Sequence, residues 1–204
     1  MKALLSTTYF GPVQWYQKLY RYEEVEIERW ESFQKQTYRN RCLIATTQGV
    51  QALTVPVERN SQLSALNSQL IKDVRISDHG NWRHLHWNAL VSAYGESPFF
   101  EYYQDDIRPF FEKRWDYLLD FNEAIREKMC ELLDIRAKVR YSEAFENHMI
   151  HDFREGIQPK HPMEDPAFEA KPYYQVYQQK HGFLVNLSVL DLLFNMGPEG
   201  IFYL

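Results

Sequence analysis

Cysteine is scarce in this chain: Cys42 and Cys130 are the two it has, and they fall in segments that read as different elements. A disulfide framework is excluded, and both are expected as free thiols in a reducing compartment. Positive charge is also short. The formal net charge is −5, without the basic footprint of a generic nucleic-acid binder. Long apolar runs are missing. Met1 to Tyr20 is interrupted by Gln14, Gln17 and Lys18, so it lacks a signal-peptide core, and no stretch is long enough to span a bilayer. The chain is therefore expected to be cytoplasmic, with no membrane span and no nucleic-acid partner. Its eight glycines form no phosphate loop, no dinucleotide fingerprint and no Gly-x-Ser-x-Gly elbow. ATPase, nicotinamide-dependent and α/β-hydrolase chemistry are set aside.

What remains is rich in apolar and aromatic side chains, 45 % and 16 % of the 204 residues. That content supports a core edged by tyrosines. Lys2 to Ser6 reads as a buried strand that runs through Thr7–Phe10 and Gly11-Pro12 into a helix carrying Trp15, Leu19 and Tyr22. Glu24 to Glu28 alternates, with Val25 and Ile27 inward and the three glutamates outward. Arg41–Thr46 and Val50–Val57 form a hairpin around Thr47-Gln48-Gly49. Arg59 to Gln69 is polar and irregular, and Val74 with Ile76 marks another strand.

Asn81 is placed to cap a helix whose inner face is Trp82, Leu85, Ala89 and Ala93. Ser97-Pro98 and Pro109 open two more helices. Asp120 with Glu123 has capping-box spacing ahead of a fourth. Ala137, Val139 and Tyr141 alternate as a strand. From 144 to 172 four prolines break regularity, which suggests a lid or a disordered loop. Ser188 and Asp191 then cap a last helix, ended by Gly197-Pro198. The fold class is α/β, a mixed sheet with several packed helices in a single domain.

Seven histidines invite a metal hypothesis, but His148 and His151 lack a third ligand at a recognised spacing, and no metal or cofactor is expected. Cys42 sits in an apolar strand and reads as an inert core thiol. The most suggestive run is Lys35 to Arg41, where Lys35, Tyr38, Arg39, Asn40 and Arg41 bring three cations, a phenol and an amide together. Guanidinium groups grip phosphate or carboxylate, so an anionic small molecule is one reading, and pairing with Glu24, Glu26 or Glu28 is the other. If strand alternation begins by Asn40, then Arg39, Arg41 and Leu43 share a face, with Arg41 the deeper arginine. Thr8 and Tyr9 sit in the first strand-to-helix turn, where ligands of open α/β sheets gather.

The ordered set Tyr9-Phe10, Tyr38-Arg39-Asn40-Arg41, Leu53 to Val57, Trp82-Arg83-His84-Leu85, Tyr94, Pro98-Phe99-Phe100 and Leu187 to Gly197 resembles the WbqC-like family along almost the whole chain. Many relatives carry Gln-Pro where this chain has Thr7-Thr8. The resemblance implies surface-polysaccharide (O-antigen-type) biosynthesis on an activated sugar such as a nucleotide-sugar, with acyl or aminoacyl transfer as a candidate reaction. In that reading Arg39 and Arg41 clamp the anion, Tyr38 and Asn40 orient it, Thr8 and Lys35 add contacts, and Tyr9 and His84 serve the chemistry. A non-catalytic binding or scaffold protein using the same cleft is the alternative.

Overall fold

A computed structural model of the chain describes residues 1–58, 69–147 and 149–204. The irregular reading of 59–68 and the ligand role weighed for His148 lie outside the described residues.

The apolar run of the first strand, β1 (Lys2–Ser6), is buried on both faces, as befits a parallel strand covered on both sides. After a tight turn, α1 (Val13–Arg21) returns the chain to β2 (Glu24–Glu28), which pairs parallel to β1 with Lys2 opposite Glu24. Far along the chain, β5 (Val139–Tyr141) pairs parallel to the other side of β2. The residues around Asp152 extend β1 on its outer side, through Leu4 N–H to His151 O and Phe153 N–H to Leu4 O, both at 2.9 Å. Among the described residues the antiparallel strand pair is a hairpin of β3 (Arg41–Thr46) and β4 (Gly49–Thr54), whose turn needs Gly49 at φ +107. The mixed pairing expected of the fold is thus divided between a parallel sheet and a separate hairpin. Pro56, lacking an N–H, coincides with the end of the ladder, and Val57 and Ile76 meet beyond it in an isolated bridge rather than a strand.

Helices α2 (Trp82–Tyr94), α3 (Phe100–Ile107), α4 (Pro109–Glu112) and α5 (Leu118–Leu132) fill the long connection from β4 to β5. Two expectations are corrected here. The inner face of α2 is Trp82, His86, Leu90, Ala93 and Tyr94, and Leu85 is exposed. Helix α5 begins a turn earlier than expected, with Tyr117 at its N-cap, so Asp120 and Glu123 lie inside it rather than forming a cap. The reason is that Phe121 and Ile125 set the buried stripe, which carries Glu123 inward with them.

The proline-rich stretch after β5 contains no helix or strand among its described residues, yet it is tied to α1. Lys18 Nζ lies 2.5 Å from Asp165 in a buried pair, Gln14 donates to Asp165 at 2.9 Å, and Gln17 and Arg21 each donate at 3.0 Å to the carbonyls of Glu169 and Ala167. The polar residues that interrupt the first twenty positions are therefore anchors for this strap.

After α6 (Gln178–His181), the last α-helix, α7 (Val189–Met196), is capped by Ser188, whose Oγ accepts from Leu190 N–H. Asp191 has a different role from the expected cap. It is fully buried and accepts from Tyr94 Oη at 3.0 Å, Tyr173 Oη at 2.8 Å and Gln175 Nε2 at 2.9 Å. Burial pushes its carboxyl up to about 6 against those donors. Because the folded state holds this proton more tightly than the unfolded chain, the stability it contributes is complete below about pH 4 and falls as pH rises to about 6. The cost of Asp191→Asn should therefore be larger at pH 4 than at pH 7, by about 2 kcal/mol. Urea titrations of both proteins across that range measure it; a pH-independent difference would contradict the assignment.

Candidate functional site

The parallel strands end side by side at Ser6, Glu28 and Tyr141, and two buried carboxylates gather beyond them. Glu31 receives Arg39 in bidentate fashion, Nε to Oε1 at 2.8 Å and Nη2 to Oε2 at 2.6 Å, and Ser6 Oγ donates to it at 3.1 Å. Glu28 breaks the alternation of β2. It is fully buried and accepts from Trp30 N–H at 2.7 Å, Ser142 Oγ at 2.6 Å, Glu146 N–H at 2.9 Å and Arg154 Nη1 at 3.3 Å. Arg154 also grips Asp152, with Nη2 at 2.6 Å. Both carboxylates are held by arginine and by neutral donors, as buried charge requires.

In front of these pairs opens a crevice of about 420 Å³, lined by Trp30, Glu31, Phe145, Asp152, Arg154 and Glu155 among others. Ligands of α/β sheets bind in this position, beyond the carboxyl ends of the strands. Its lining carries three carboxylates against one guanidinium, and the half-exposed Phe145 stands beside them. Glu155 is the accessible acid, 58 % exposed and held by Gln34 and Gln158 at 2.9 and 2.8 Å. The arrangement offers acceptors to a ligand's hydroxyl or amino groups and an apolar edge to its carbon skeleton.

Of the run Lys35 to Arg41, Arg39 is the residue that lies against this crevice, through its bond to Glu31. It is 2 % exposed and pairs with Glu31, not with Glu24, Glu26 or Glu28. The expected shared face of Arg39 and Arg41 is also corrected. Strand β3 starts at Arg41, so alternation does not reach Arg39, and Arg41 is the half-exposed one, bonded to Thr54 Oγ1 at 3.1 Å. Asn40 donates to Val55 O at 2.8 Å, and Lys35 is exposed. Tyr38 lines a different cleft, beside Leu43, Pro162 and Asp165, and burial pushes its phenol up to about 12.

Thr8 is buried in the β1–α1 turn, where a Cβ on Gly11 would lie 2.3 Å from its Oγ1, so only glycine fits there. Tyr9 is fully buried among Phe10, Phe121 and His86, and its hydroxyl meets His86 Nδ1 at 2.9 Å. Burial lowers His86 to about 4, so its ring is neutral, with the other nitrogen bonded to the Thr54 backbone. Tyr9 therefore has His86 as its partner and not His84, which is exposed and bonded to Asn88 at 2.9 Å. Cys42 is a buried thiol whose pKa burial pushes up.

Sequence reasoning missed Glu28, Glu31 and Arg154. It also missed Glu123, a carboxyl raised by burial that accepts from Thr7 at 3.2 Å, Arg126 at 2.7 Å and Tyr141 at 3.2 Å. The available signal was the Ser6-Thr7 pair at the strand end, whose neighbouring hydroxyls serve Glu31 and Glu123 in turn. Among the described residues no three His, Cys, Asp or Glu side chains are grouped to hold a metal ion. No described helix is long and apolar enough to cross a membrane.

An uncharacterized protein of Mycobacterium tuberculosis, Rv1507c, is 27 % identical over 197 residues, a match covering 84 % of this chain and 83 % of that one. No solved structure matches the chain. A sequence model described as the WbqC-like protein family matches residues 7–156, a span that takes in β2, β5 and every residue named for the crevice. The chain belongs to the WbqC-like protein family.

Proposed function

We propose that this protein binds an activated sugar in surface-polysaccharide biosynthesis, with the sugar ring in the crevice beyond the parallel strands. The observation that carries the reading is the lining itself: three carboxylates and two aromatic side chains around about 420 Å³. Sugar hydroxyls donate to carboxylates, and the C–H faces of the ring lie against aromatic edges. A phosphate is repelled by the same lining, so the phosphate end of a nucleotide-sugar points away from it. The pathway is the one the family resemblance implies. Acyl or aminoacyl transfer to a sugar hydroxyl needs a base for its proton, and Glu155 is the accessible carboxylate for that work.

The test is a thermal-shift and calorimetric screen of nucleotide-sugars and free sugars against the wild type and Glu155→Gln. A binding sugar at about 100 times its Kd should stabilise the protein by about 2.7 kcal/mol. Glu155→Gln should weaken binding about tenfold without lowering stability, because the side chain is mostly exposed. A screen in which no sugar binds, or in which the variant binds as the wild type does, removes the proposal. Binding without turnover would instead favour the non-catalytic module.

A further inference from the structure

The guanidinium-rich surface that an anion needs lies on a different part of the molecule. Between the first turn of α2 and α4 is a cavity of about 380 Å³, lined by Arg83, His84, Trp87, Arg108, Glu112 and Arg114 among others. Two carboxylates serve its three arginines. Asp78 is shared, bonded to Arg83 and lying 2.8 Å from Arg114 Nη2, while Glu112 takes Arg108 Nε at 2.7 Å. Among the described residues one positive charge is left over, and Arg83 Nε is buried with no hydrogen-bond partner. Arg83 is further fixed by its guanidinium, 4.9 Å from the Trp82 ring centroid.

His84 lies at the rim, its Nε2 2.9 Å from Asn88 Nδ2. Helix α2 adds a field of the same sign, for its first turn holds no acidic residue and its N-cap Asn81 makes no side-chain cap.

We infer that this cavity is a binding site for a phosphate-bearing small molecule, independent of the sugar crevice. Guanidinium groups on several sides match the multiple oxygens of a phosphate better than the two of a carboxylate. The local excess is a single charge on a chain of net −5, which suits one small anion and not the long phosphate track of a nucleic acid. The site also supplies the cations expected from the Lys35–Arg41 run, where the strongest arginine is consumed by Glu31.

The probe is inorganic pyrophosphate, titrated calorimetrically into the full chain at low ionic strength. The wild type should bind it, and affinity should fall as salt is raised, since exposed charges are screened. The variant Arg108→Gln/Arg114→Gln changes two side chains that are 56 % and 79 % exposed, so the fold should be retained. It should lose about tenfold or more of the affinity, as hydrogen bonds to charged groups imply. Glu155→Gln should bind pyrophosphate as the wild type does, which separates this site from the crevice. Absence of pyrophosphate binding, equal binding by the double variant, or loss of binding in Glu155→Gln would each overturn the assignment. So would binding seen only with anionic phospholipid vesicles and not with pyrophosphate.

Discussion

Arg39→Ala should destabilise the protein by about 3–5 kcal/mol, whereas Arg41→Ala should cost less than about 1 kcal/mol. The contrast follows from where the partner charges are left. Arg39 neutralises Glu31 with two hydrogen bonds in a place where both are almost entirely shielded from water. Removing the guanidinium leaves Glu31 with the Ser6 hydroxyl and, among the described residues, no counter-charge within bonding distance. Arg41 is half-exposed and bonds only the Thr54 hydroxyl, so water can replace that contact. Urea denaturation of both variants decides the matter through the midpoint at unchanged m-value. A paired change, Arg39→Met with Glu31→Gln, should be milder than Arg39→Ala, because it removes both charges rather than orphaning one. If Arg39→Ala unfolds at the wild-type midpoint, the pair is not the buried unit described.

Ending the chain after Val185 should leave no soluble, cooperatively folding protein. Helix α7 is the common floor of several elements, with Leu190, Leu192, Leu193 and Phe194 fully buried. Phe194 meets the rings of Tyr94 on α2 and Phe100 on α3. The Ser188 hydroxyl and the Val189 N–H hold the carbonyls of Phe10 and Gly11, so the β1–α1 turn depends on the same segment. A graded form of the test is Leu193→Ala, for which loss of a buried leucine predicts about 2–5 kcal/mol. A truncated chain that purifies as a monomer with a sharp unfolding transition would contradict this account.

What the sequence made legible was local. Strand β1, the hairpin and its Gly49 turn, and the helices opened by Pro98 and Pro109 all rest on periodicities and turn residues within about ten positions. The site was not legible, because its parts converge from segments more than a hundred residues apart. Glu28 reads as the solvent side of an alternating strand, and only the arrival of Ser142, Glu146 and Arg154 turns that position into a buried socket. Arg39 reads as a candidate ligand clamp because nothing nearby in sequence says that Glu31 will fold back on it. Histidines 84 and 86 show the same limit. Two positions apart on a helix they face different ways, and nothing in the spacing says which of the two meets Tyr9.

The order of β1 within the sheet sets a timetable for synthesis. Leu4 finds one neighbour early, in β2, and the other only when His151 and Phe153 have been made. At translation rates of about 5–20 residues per second, that second edge stays open for roughly 7–30 s. An unpaired apolar strand exposed for so long is a template for pairing with another nascent chain. Topologies dominated by such distant contacts also fold slowly once released. This protein is therefore expected to be a poor refolder at high concentration, and its yield of soluble material should improve when fewer chains are synthesised at once.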